Sequence, residues 1–465
     1  MTYDDARELL QEYGQEDVFR FWDRLDGGER SALLAQIAGI DFESVGQMRR
    51  LLEDPQAVGG PGPEEIEPAV ILNLEGTEAD RAVAEGRAAL RGGKVGAILV
   101  AGGQGSRLGF DGPKGCYPIG PVSGASLFRI HARKILALER EFETRIPFYV
   151  MTSSSNDEAT RAFFRDNGWF GLSPERVLFF VQGMWPALGS DGRLVLDSPG
   201  HIFVSPDGHG GLLSALKNEG MLSDMRTRGV ETLFYFQVDN PLIDIADPAF
   251  IGAHRLGNCD ISLKVCAKRE PDEGLGTVAK RGVRNVVVEY TELTDEQRHA
   301  RLPGGRLKFL YGSVAIHVFS AEFLRSVAER RLPLHLAHKK VPCCDEHGRT
   351  VEPRKRNAFK FEKFIFDTLP FADRVLNLAF RREDEFAPVK NASGDDSPET
   401  ARLAMMRKSA RRLQACGIKV PVDVDGNPAH RIEIDPCYAI SPEELREKLP
   451  SDFSVDGDVL LCDTE

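Results

Sequence analysis

The chain has 465 residues, of which 42% are hydrophobic and 28% are charged, and its formal net charge is −12. This length predicts two or three domains with ordinary hydrophobic cores rather than one small domain. The acidic balance excludes a nonspecific nucleic-acid binder, which needs a basic surface, so we expect no nucleic acid among the partners.

The first residues, MTYDDARELLQEYGQEDVFRFW, are acidic and lack the basic and apolar segments of a signal peptide. We therefore expect a cytoplasmic protein. No run of about 18 apolar residues occurs, so no membrane span is predicted. Apolar residues at helical spacing predict a helical N-terminal region over residues 1–93, interrupted by a Pro/Gly-rich linker at 59–68.

From about residue 94, short apolar strands alternate with amphipathic helices, as in VGAILV, PFYVMT, RVLFFVQGMWP and ETLFYFQV. This alternation predicts an α/β fold with a mixed, mostly parallel, doubly wound Rossmann-like sheet in a catalytic domain at 94–395. Longer strands beyond about residue 260 look antiparallel. Residues 396–465 are predicted to form a small C-terminal α+β domain. In such sheets the ligand crevice lies beyond the carboxyl ends of the strands.

The first predicted strand runs directly into the loop VAGGQGSRLGFDGPKG. Its glycines let the backbone approach a ligand closely, and Arg107 and Lys114 add positive charge, so the loop predicts a phosphate cradle. A Walker A loop is excluded because it requires Gly before the lysine and Ser or Thr after it, whereas Lys114 lies between Pro113 and Gly115. The dinucleotide fingerprint fails because the glycine spacing is one residue too long.

Two other classes of protein remain as alternatives. An NAD(P)-dependent oxidoreductase would need a ribose-binding acid about 20 residues after the glycine loop, where GASLFRIHARKI offers none. A non-catalytic sugar-nucleotide binding protein would be expected to have lost Asp239, which follows the strand LFYFQV, or one of the lysines at 114, 360 and 390, and none of these is missing. The pair Cys343–Cys344 precedes DEHGR, which is more typical of a hairpin turn than of a metal site.

The loop pattern G-G-x-G-S/T-R-L-G-x-x-x-P-K resembles the signature of the eukaryotic-type UDP-sugar pyrophosphorylase family. Further segments resemble the family in the same order: VQGMWP, PDGHGGL, QVDNPLIDIADPAFIG, VVVEYTEL, AHKKVP, NAFKFEKFIFD and REDEFAPVKNA. The resemblance covers roughly residues 95–410 and is closest to the UDP-N-acetylglucosamine pyrophosphorylase branch.

The resemblance implies an Mg²⁺-dependent nucleotidyltransferase whose partners are UTP and a sugar 1-phosphate and whose products are a UDP-sugar and pyrophosphate. N-acetylglucosamine 1-phosphate is the favoured sugar. A glucose-1-phosphate or broad-specificity enzyme is the alternative. The oligomeric state stays open.

The resemblance also implies a role for individual residues. It places the uridine end of the nucleotide at Val100, Ala101, Gly102 and Gly103, and the uracil edge at Gln182. The departing phosphates would be neutralised by Arg107 and Lys114, and the junction of nucleotide and sugar would lie at Gly208 and His209. Asp239 would hold Mg²⁺, Glu289 would contact the sugar hydroxyls from a strand, and Lys360 and Lys390 would converge on the sugar phosphate.

Three positions depart from the N-acetylglucosamine branch. Gly208-His209-Gly210 stands where that branch usually has G-N-G, and Ser313 and Ile316 stand where it carries asparagines. An asparagine both donates and accepts hydrogen bonds, whereas isoleucine does neither. We therefore expect weaker discrimination against glucose 1-phosphate than is usual in that branch.

Overall fold

The structure, a computed structural model, describes residues 1–54 and 65–463. Its helices are α1 (Tyr3–Glu12), α2 (Gly27–Gly39), α3 (Phe42–Glu53), α4 (Gly76–Arg91), α5 (Leu127–Glu141), α6 (Asp157–Asp166), α7 (Leu212–Asn218), α8 (Met221–Thr227), α9 (Pro248–Leu256), α10 (Asp295–His299), α11 (Ala321–Val327), α12 (Arg382–Glu385), α13 (Pro398–Ala415) and α14 (Pro442–Lys448).

The strands are β1 (Ile66–Pro68), β2 (Val95–Val100), β3 (Phe148–Thr152), β4 (Val177–Val181), β5 (Met184–Pro186), β6 (Leu188–Gly189), β7 (Leu196–Ser198), β8 (His201–Ile202), β9 (Val204–Pro206), β10 (Thr232–Gln237), β11 (Ile261–Ala267), β12 (Gly276–Arg281), β13 (Arg284–Val288), β14 (Tyr311–Ser320), β15 (His335–Lys339), β16 (Cys343–Cys344), β17 (Thr350–Val351), β18 (Ala358–Glu362), β19 (Val375–Ala379), β20 (Ile432–Ile434) and β21 (Val459–Leu461).

The chain divides into two units, each built from separate segments. Unit 1 comprises Met1–Glu65, Gln182–Ala215 and Arg330–Thr368. Unit 2 comprises Ile66–Val181, Leu216–Glu329 and Leu369–Glu465. The boundaries expected from the sequence, at residues 93 and 395, follow chain order instead and stay a prediction.

Unit 2 is built on a ten-stranded sheet with the order β4-β3-β2-β10-β14-β12-β1. The pairings β4-β3, β3-β2 and β2-β10 are parallel, and β10 pairs antiparallel with β14. Strand β11 pairs with β14 and β19, and β13 pairs with β12. The parallel centre confirms the predicted doubly wound α/β sheet, with the antiparallel strands added at one side.

The connections of the parallel strands place a topological switch point between β2 and β10. From β2 the chain passes through α5 to β3 and through α6 to β4, whereas β10 joins the other side of β2. Gln237 at the end of β10 pairs with Val100 at the end of β2. A crevice outside these carboxyl ends is the usual ligand site of such sheets.

The C-terminal part of unit 2 contains the predicted helix and short strands. Helix α13 starts with a capping box at Ser397 and Thr400. Strands β20 and β21 pair in parallel, and Leu413, Ile432 and Leu445 form a small core there with their neighbours.

Unit 1 contains the N-terminal helices and the three-stranded sheet β15-β18-β6. Capping boxes at Thr2–Asp5 and Asp26–Glu29 start α1 and α2 by satisfying free backbone N–H groups. The apolar faces of α1, α2 and α3 form one buried core with residues of the sheet, among them Leu188 and Phe361. The predicted alternation of Phe359, Lys360 and Phe361 on a strand is confirmed by β18.

Several local predictions need correction. Within the predicted linker, residues 59–64 lie outside the described residues, and Ile66–Pro68 form a strand that pairs with β12. The predicted strand RVLFFVQGMWP is interrupted at Gln182 and Gly183, where the chain enters unit 1.

The hairpin prediction for Cys343–Cys344 is confirmed by the β16–β17 pair. Across residues 1–54 and 65–463, no helix is long and apolar enough to cross a membrane.

Candidate active site

The glycine-rich loop after β2 is fastened by polar side chains at the end of β3. The Asn156 side-chain amide donates to the carbonyls of Ala101 at 2.9 Å and Gly103 at 3.3 Å. The Ser153 hydroxyl donates to the carbonyl of Gly102 at 2.9 Å. These bonds fix the backbone that is expected to meet the nucleotide. Sequence reasoning missed both side chains, although the polar run TSSSN at a strand end was a usable signal.

Glycine is required at two positions of this loop for packing and at another for access. A Cβ on Gly105 would lie 2.7 Å from the ring of Phe110, and a Cβ on Gly115 would lie 2.2 Å from the ring of Phe128. A Cβ on Gly103 would meet no other atom of the described residues within 4 Å. The loop is therefore folded tightly on itself but leaves open space at Gly103.

The two cations of the loop lie in different surroundings. Arg107 is exposed, and no described residue forms a hydrogen bond or ion pair with it. Lys114 is more enclosed, with a side chain 17% exposed, and its Nζ lies 3.9 Å from Oδ2 of Asp239. Asp239 follows β10, so this pair stands at the switch point between β2 and β10. At 3.9 Å the pair is loose, and both groups keep capacity for a ligand.

Lys390 is brought to the same edge of the sheet by backbone contacts. The Val389 N–H donates to the carbonyl of Asp239 at 2.8 Å. The Asn240 side chain donates to the Glu385 carbonyl at 2.7 Å and accepts from the Ala387 N–H at 3.1 Å. The structure thus places the segment that carries Lys390 beside Asp239. Sequence reasoning missed Asn240, because its partners lie about 145 residues away along the chain.

A buried charge cluster lies behind this segment. Lys264 forms ion pairs with Asp247 at 2.9 Å and with Glu385. Burial alone would lower the pKa of Lys264, but the two carboxylates raise it above its ordinary value. Burial raises the pKa of Glu385 to about 7, although Lys264 opposes the shift. A paired cluster of this kind resists rearrangement, because removing one partner leaves an uncompensated buried charge.

The C-terminal region of unit 2 holds the chain between the glycine loop and α5. Glu433 in β20 accepts hydrogen bonds from the N–H groups of Val122 and Ser123, both at 2.8 Å, and from the Ser123 hydroxyl at 2.6 Å. Arg133 in α5 donates to Asp435 at 3.0 Å. The C-terminal region is thus hydrogen-bonded to the segment that follows Lys114 in the chain.

In unit 1, His209 is fixed in one tautomer. Its Nδ1 accepts a hydrogen bond from the Ile365 N–H at 3.1 Å, so Nδ1 carries no proton. The ring stacks on Phe364, with the centroids 5.1 Å apart. Burial, together with the neighbouring His335, lowers the pKa of His209 to about 4. The ring is therefore neutral near pH 7, and Nε2–H is available only as a donor.

The other predicted residues of unit 1 are Gly208 beside this histidine, Gln182 at the entry to the unit and Lys360 on β18. Gly208 has φ +84° and packs so closely that a Cβ would lie 2.4 Å from the carbonyl oxygen of Lys363. Gln182 is 7% exposed at the entry to unit 1. Lys360 extends over the ring of Phe203, 4.8 Å from the centroid, and burial lowers the pKa of Lys360.

The structure brings together only part of the predicted set. Lys114, Asp239 and the segment of Lys390 meet at one sheet edge in unit 2. Glu289 differs from its expected position, because β13 ends at Val288 and Glu289 follows it, half-buried. The convergence of Lys360 and Lys390 stays a prediction, since the two lysines belong to different units.

Two further expectations concern metal and sugar. No group of three or more His, Cys, Asp and Glu side chains in residues 1–54 and 65–463 could hold a metal by itself. A metal at Asp239 would thus need oxygen ligands from water or from a substrate. Ile316 is 1% exposed and packs in the core of unit 2, which contradicts the expected effect of this side chain on the sugar. Ser313 is half-buried on β14.

Comparison with known proteins gives consistent matches. A family model described as UTP–glucose-1-phosphate uridylyltransferase matches residues 64–422. The UDP-N-acetylglucosamine diphosphorylase 2 of Arabidopsis thaliana is 38% identical over 464 residues, which cover 94% of this chain and 90% of that protein. The UDP-N-acetylhexosamine pyrophosphorylase-like protein 1 of Homo sapiens is 37% identical over 474 residues, 95% and 94% of the two chains.

A solved structure agrees with these relatives. The uridine diphosphate N-acetylglucosamine pyrophosphorylase of Trypanosoma brucei, crystallised with an inhibitor, superposes with a TM-score of 0.81 at 28% sequence identity. The match covers 96% of this chain and 94% of that one. The similarity thus extends over both units and the C-terminal region.

Proposed function

The chain belongs to the UTP–glucose-1-phosphate uridylyltransferase family, and we propose that it transfers the uridylyl group of UTP to a sugar 1-phosphate. The observation that carries the proposal is the placement of Lys114, Asp239 and the segment of Lys390 at the switch point of a parallel sheet. Cations and a carboxylate at this edge suit two phosphorylated substrates.

The reaction requires the protein mainly to position the two substrates and to supply positive charge. An oxygen of the sugar phosphate forms a bond to the α-phosphorus of UTP, and the bond between that phosphorus and the bridging oxygen of pyrophosphate breaks. Two polyanions must be brought together, and negative charge grows on the leaving pyrophosphate. Lys114 and Arg107 are suited to the leaving phosphates, and Lys390 to the sugar phosphate. No covalent intermediate on the enzyme is needed.

We propose Mg²⁺ as the cofactor, with Asp239 as its protein ligand. Asp239 is loosely paired, and Mg²⁺ is commonly held by one or two carboxylates together with substrate phosphates. When bound, the ion would supply further positive charge to the phosphates. The Asp239→Asn variant should lose activity and require more Mg²⁺, because an amide is a poor ligand for a hard cation. An unchanged Mg²⁺ titration would remove Asp239 from this role.

N-acetylglucosamine 1-phosphate is the proposed sugar substrate. The names of the relatives support this choice. His209 and Ser313 stand where the resemblance implies asparagines in the N-acetylglucosamine branch. We expect the preference for N-acetylglucosamine 1-phosphate over glucose 1-phosphate to be less than about a thousandfold. The reason is that a missing hydrogen-bond partner for the sugar costs about 1–3 kcal/mol. A selectivity above about a thousandfold would contradict the proposed weakness.

The deciding experiment measures pyrophosphate release from UTP with a panel of sugar 1-phosphates. N-acetylglucosamine, glucose and galactose 1-phosphates are compared at fixed Mg²⁺, with ATP and NADP as nucleotide controls. UTP should also raise the thermal unfolding midpoint more than NADP does, since a ligand that binds only the folded state stabilises it. Larger stabilisation by NADP would favour the oxidoreductase alternative.

The location of the protein is proposed to be cytoplasmic. All eight cysteines are free thiols, and none is paired in a disulfide. Unpaired cysteines are usual where the cellular redox balance keeps thiols reduced. Activity and free-thiol titration in a cytosolic fraction would test this.

A further inference from the structure

A buried carboxyl with one unpaired oxygen lies two residues before His209 in the chain. Asp207 directly follows β9 and precedes Gly208, and it is 2% exposed. Its Oδ1 forms no hydrogen bond with any described residue. Burying an ionised carboxylate without a partner is unfavourable. Such a group therefore either holds a proton or has a functional role that offsets the free-energy cost of burial.

The backbone of Asp207 joins two segments that are expected to meet substrates. Its N–H donates to the carbonyl of Gly183 at 3.0 Å, and its carbonyl accepts from the Lys363 N–H at 2.8 Å. Gly183 belongs to the turn that begins with Gln182, and Lys363 follows β18. Residue 207 therefore fixes the turn of Gln182 and the end of β18 relative to the loop that carries His209.

The carboxyl itself fills the space between two glycines. A Cβ on Gly211 would lie 2.0 Å from Oδ1, and a Cβ on Gly183 would lie 2.7 Å from Oδ2. Any other residue at these two positions would displace the carboxyl. The glycines therefore make room for Asp207, and the carboxyl sets the separation of the Gln182–Gly183 turn and the Gly208–Gly211 loop.

We propose that Asp207 is a positioning residue for UTP and the sugar 1-phosphate, and that it acts as the uncharged carboxylic acid. This rests on the proposed function, in which Gln182 and His209 meet the nucleotide and the sugar. An uncharged carboxyl fits between two backbone segments without a counter-ion. A carboxylate at the same place would bury a charge on an oxygen that lacks a hydrogen bond, which is unfavourable for the arrangement of the two segments.

The charges around Asp207 support the uncharged form. Burial raises the pKa of Asp207 to about 7, and the positive charge of Lys363 opposes this shift. His209, on the same loop, is neutral, and β18 contributes Lys360 and Glu362. The turn and strand on the other side, Gln182–Pro186, carry no titratable side chain. Substrates that need the arrangement held by the uncharged acid should therefore bind more weakly as pH rises through about 7.

The test compares the wild type with Asp207→Asn, which is the same size and cannot ionise. The measurement is kcat/KM for UTP at saturating N-acetylglucosamine 1-phosphate from pH 6 to pH 9. The ratio of wild type to variant removes the titrations of UTP and the sugar phosphate. We expect this ratio to be flat at low pH and to fall by up to about tenfold per pH unit above pH 7. Asp191→Asn, at an exposed carboxyl of unit 1, is the matched control and should give a flat ratio.

The outcomes are distinct. A ratio constant within about twofold over this range, or one that rises with pH, would overturn the role of the uncharged acid. If Asp207→Asn fails to fold, Asp207→Ser replaces it, since serine is also neutral and donates a hydrogen bond. If wild type and variants all form no UDP-sugar, the proposed function has failed. An active wild type with a flat ratio refutes only the proposal for Asp207.

Discussion

Two loops of this molecule are rich in glycine, and one glycine of the first loop differs from those of the second in what it makes room for. In the loop after β2, a Cβ on Gly103 would meet no other described atom within 4 Å. In the loop after β9, a Cβ on Gly208 would lie 2.4 Å from the carbonyl oxygen of Lys363, and a Cβ on Gly211 would lie 2.0 Å from the carboxyl of Asp207. Glycine at 103 leaves room for a ligand, whereas glycine at 208 and 211 makes room for the protein itself.

The loops also differ in charge. The first carries Arg107 and Lys114, and the second carries His209, which is neutral because burial and His335 lower its pKa to about 4. A pair of cations suits phosphates, and a neutral ring with one N–H suits an oxygen of a sugar or nucleotide. A glycine pattern alone therefore does not define a phosphate site, and the side chains around it decide its chemistry.

The largest effect should come from removing charge in the first loop. Lys114→Ala should lower kcat by about 10²–10³-fold, as is typical when one positioned group is lost from a transition state. The fold should persist, because the ion pair with Asp239 is long at 3.9 Å. Steady-state kinetics with a thermal unfolding control tests this, with Lys419→Ala, an exposed lysine, as the matched variant. Activity within a few-fold of the wild type would show that Lys114 does not act on the phosphates.

A substitution in the second loop should lower the stability of the folded protein. Gly208→Ala combines a residue at φ +84° with a close contact to Lys363, and strained backbone of this kind costs about 1–3 kcal/mol. We expect a lower thermal unfolding midpoint, measured by circular dichroism. Gly282→Ala is the control, since Gly282 has φ +57° but a Cβ there would have no atom of the described part of the chain within 4 Å. Equal shifts in the two variants would show that the contact with Lys363 adds nothing to the strain.

Much of the first loop could be predicted from the sequence, because strand, glycines and cations are neighbours in the chain. The parallel strands followed from local patterns of apolar residues. The contacts of Asn156 with Ala101 and of Asn240 with Glu385 could not be predicted in this way, since each joins residues that are distant in sequence. The role of such an amide becomes visible only when the fold brings its partners together.

The errors have local physical causes. Pro and Gly favoured a linker at 59–68, yet Ile66–Pro68 pair with β12, which shows that tertiary pairing can override a breaker signal. The interruption of the fourth strand at Gln182 was missed because apolar residues continue on both sides of it. Asp207 was not identified, since an acid in a turn is ordinarily exposed.

A smaller effect should come from filling the open space of the first loop. Gly103→Ala should leave the thermal unfolding midpoint unchanged, because the added methyl meets no atom of the described residues within 4 Å. If the nucleotide occupies this space, KM for UTP should rise about tenfold, which corresponds to about 1.4 kcal/mol. Gly457→Ala, where a Cβ also meets nothing within 4 Å in residues 1–54 and 65–463, is the control and should leave KM unchanged. An unchanged KM in Gly103→Ala would show that the nucleotide does not approach Gly103.

The smallest effect concerns the choice of sugar, and it tests the chemistry assigned to the second loop. Nδ1 of His209 is already occupied by the Ile365 N–H, so the ring offers a substrate one donor and no acceptor. Asparagine at this position offers both, and it could accept from the amide N–H of an N-acetyl group. One added hydrogen bond contributes about 0.5–1.5 kcal/mol, which is roughly a two- to tenfold change.

His209→Asn should therefore raise the ratio of kcat/KM for N-acetylglucosamine 1-phosphate over glucose 1-phosphate by roughly two- to tenfold. His347→Asn, an exposed histidine of the same unit, should leave the ratio unchanged. A ratio that stays the same in His209→Asn would mean that this side chain does not contact the acetamido group. A ratio that moves toward glucose would show that the Nε2–H donor of His209 already favours the N-acetyl sugar, through its carbonyl oxygen, more than an asparagine can.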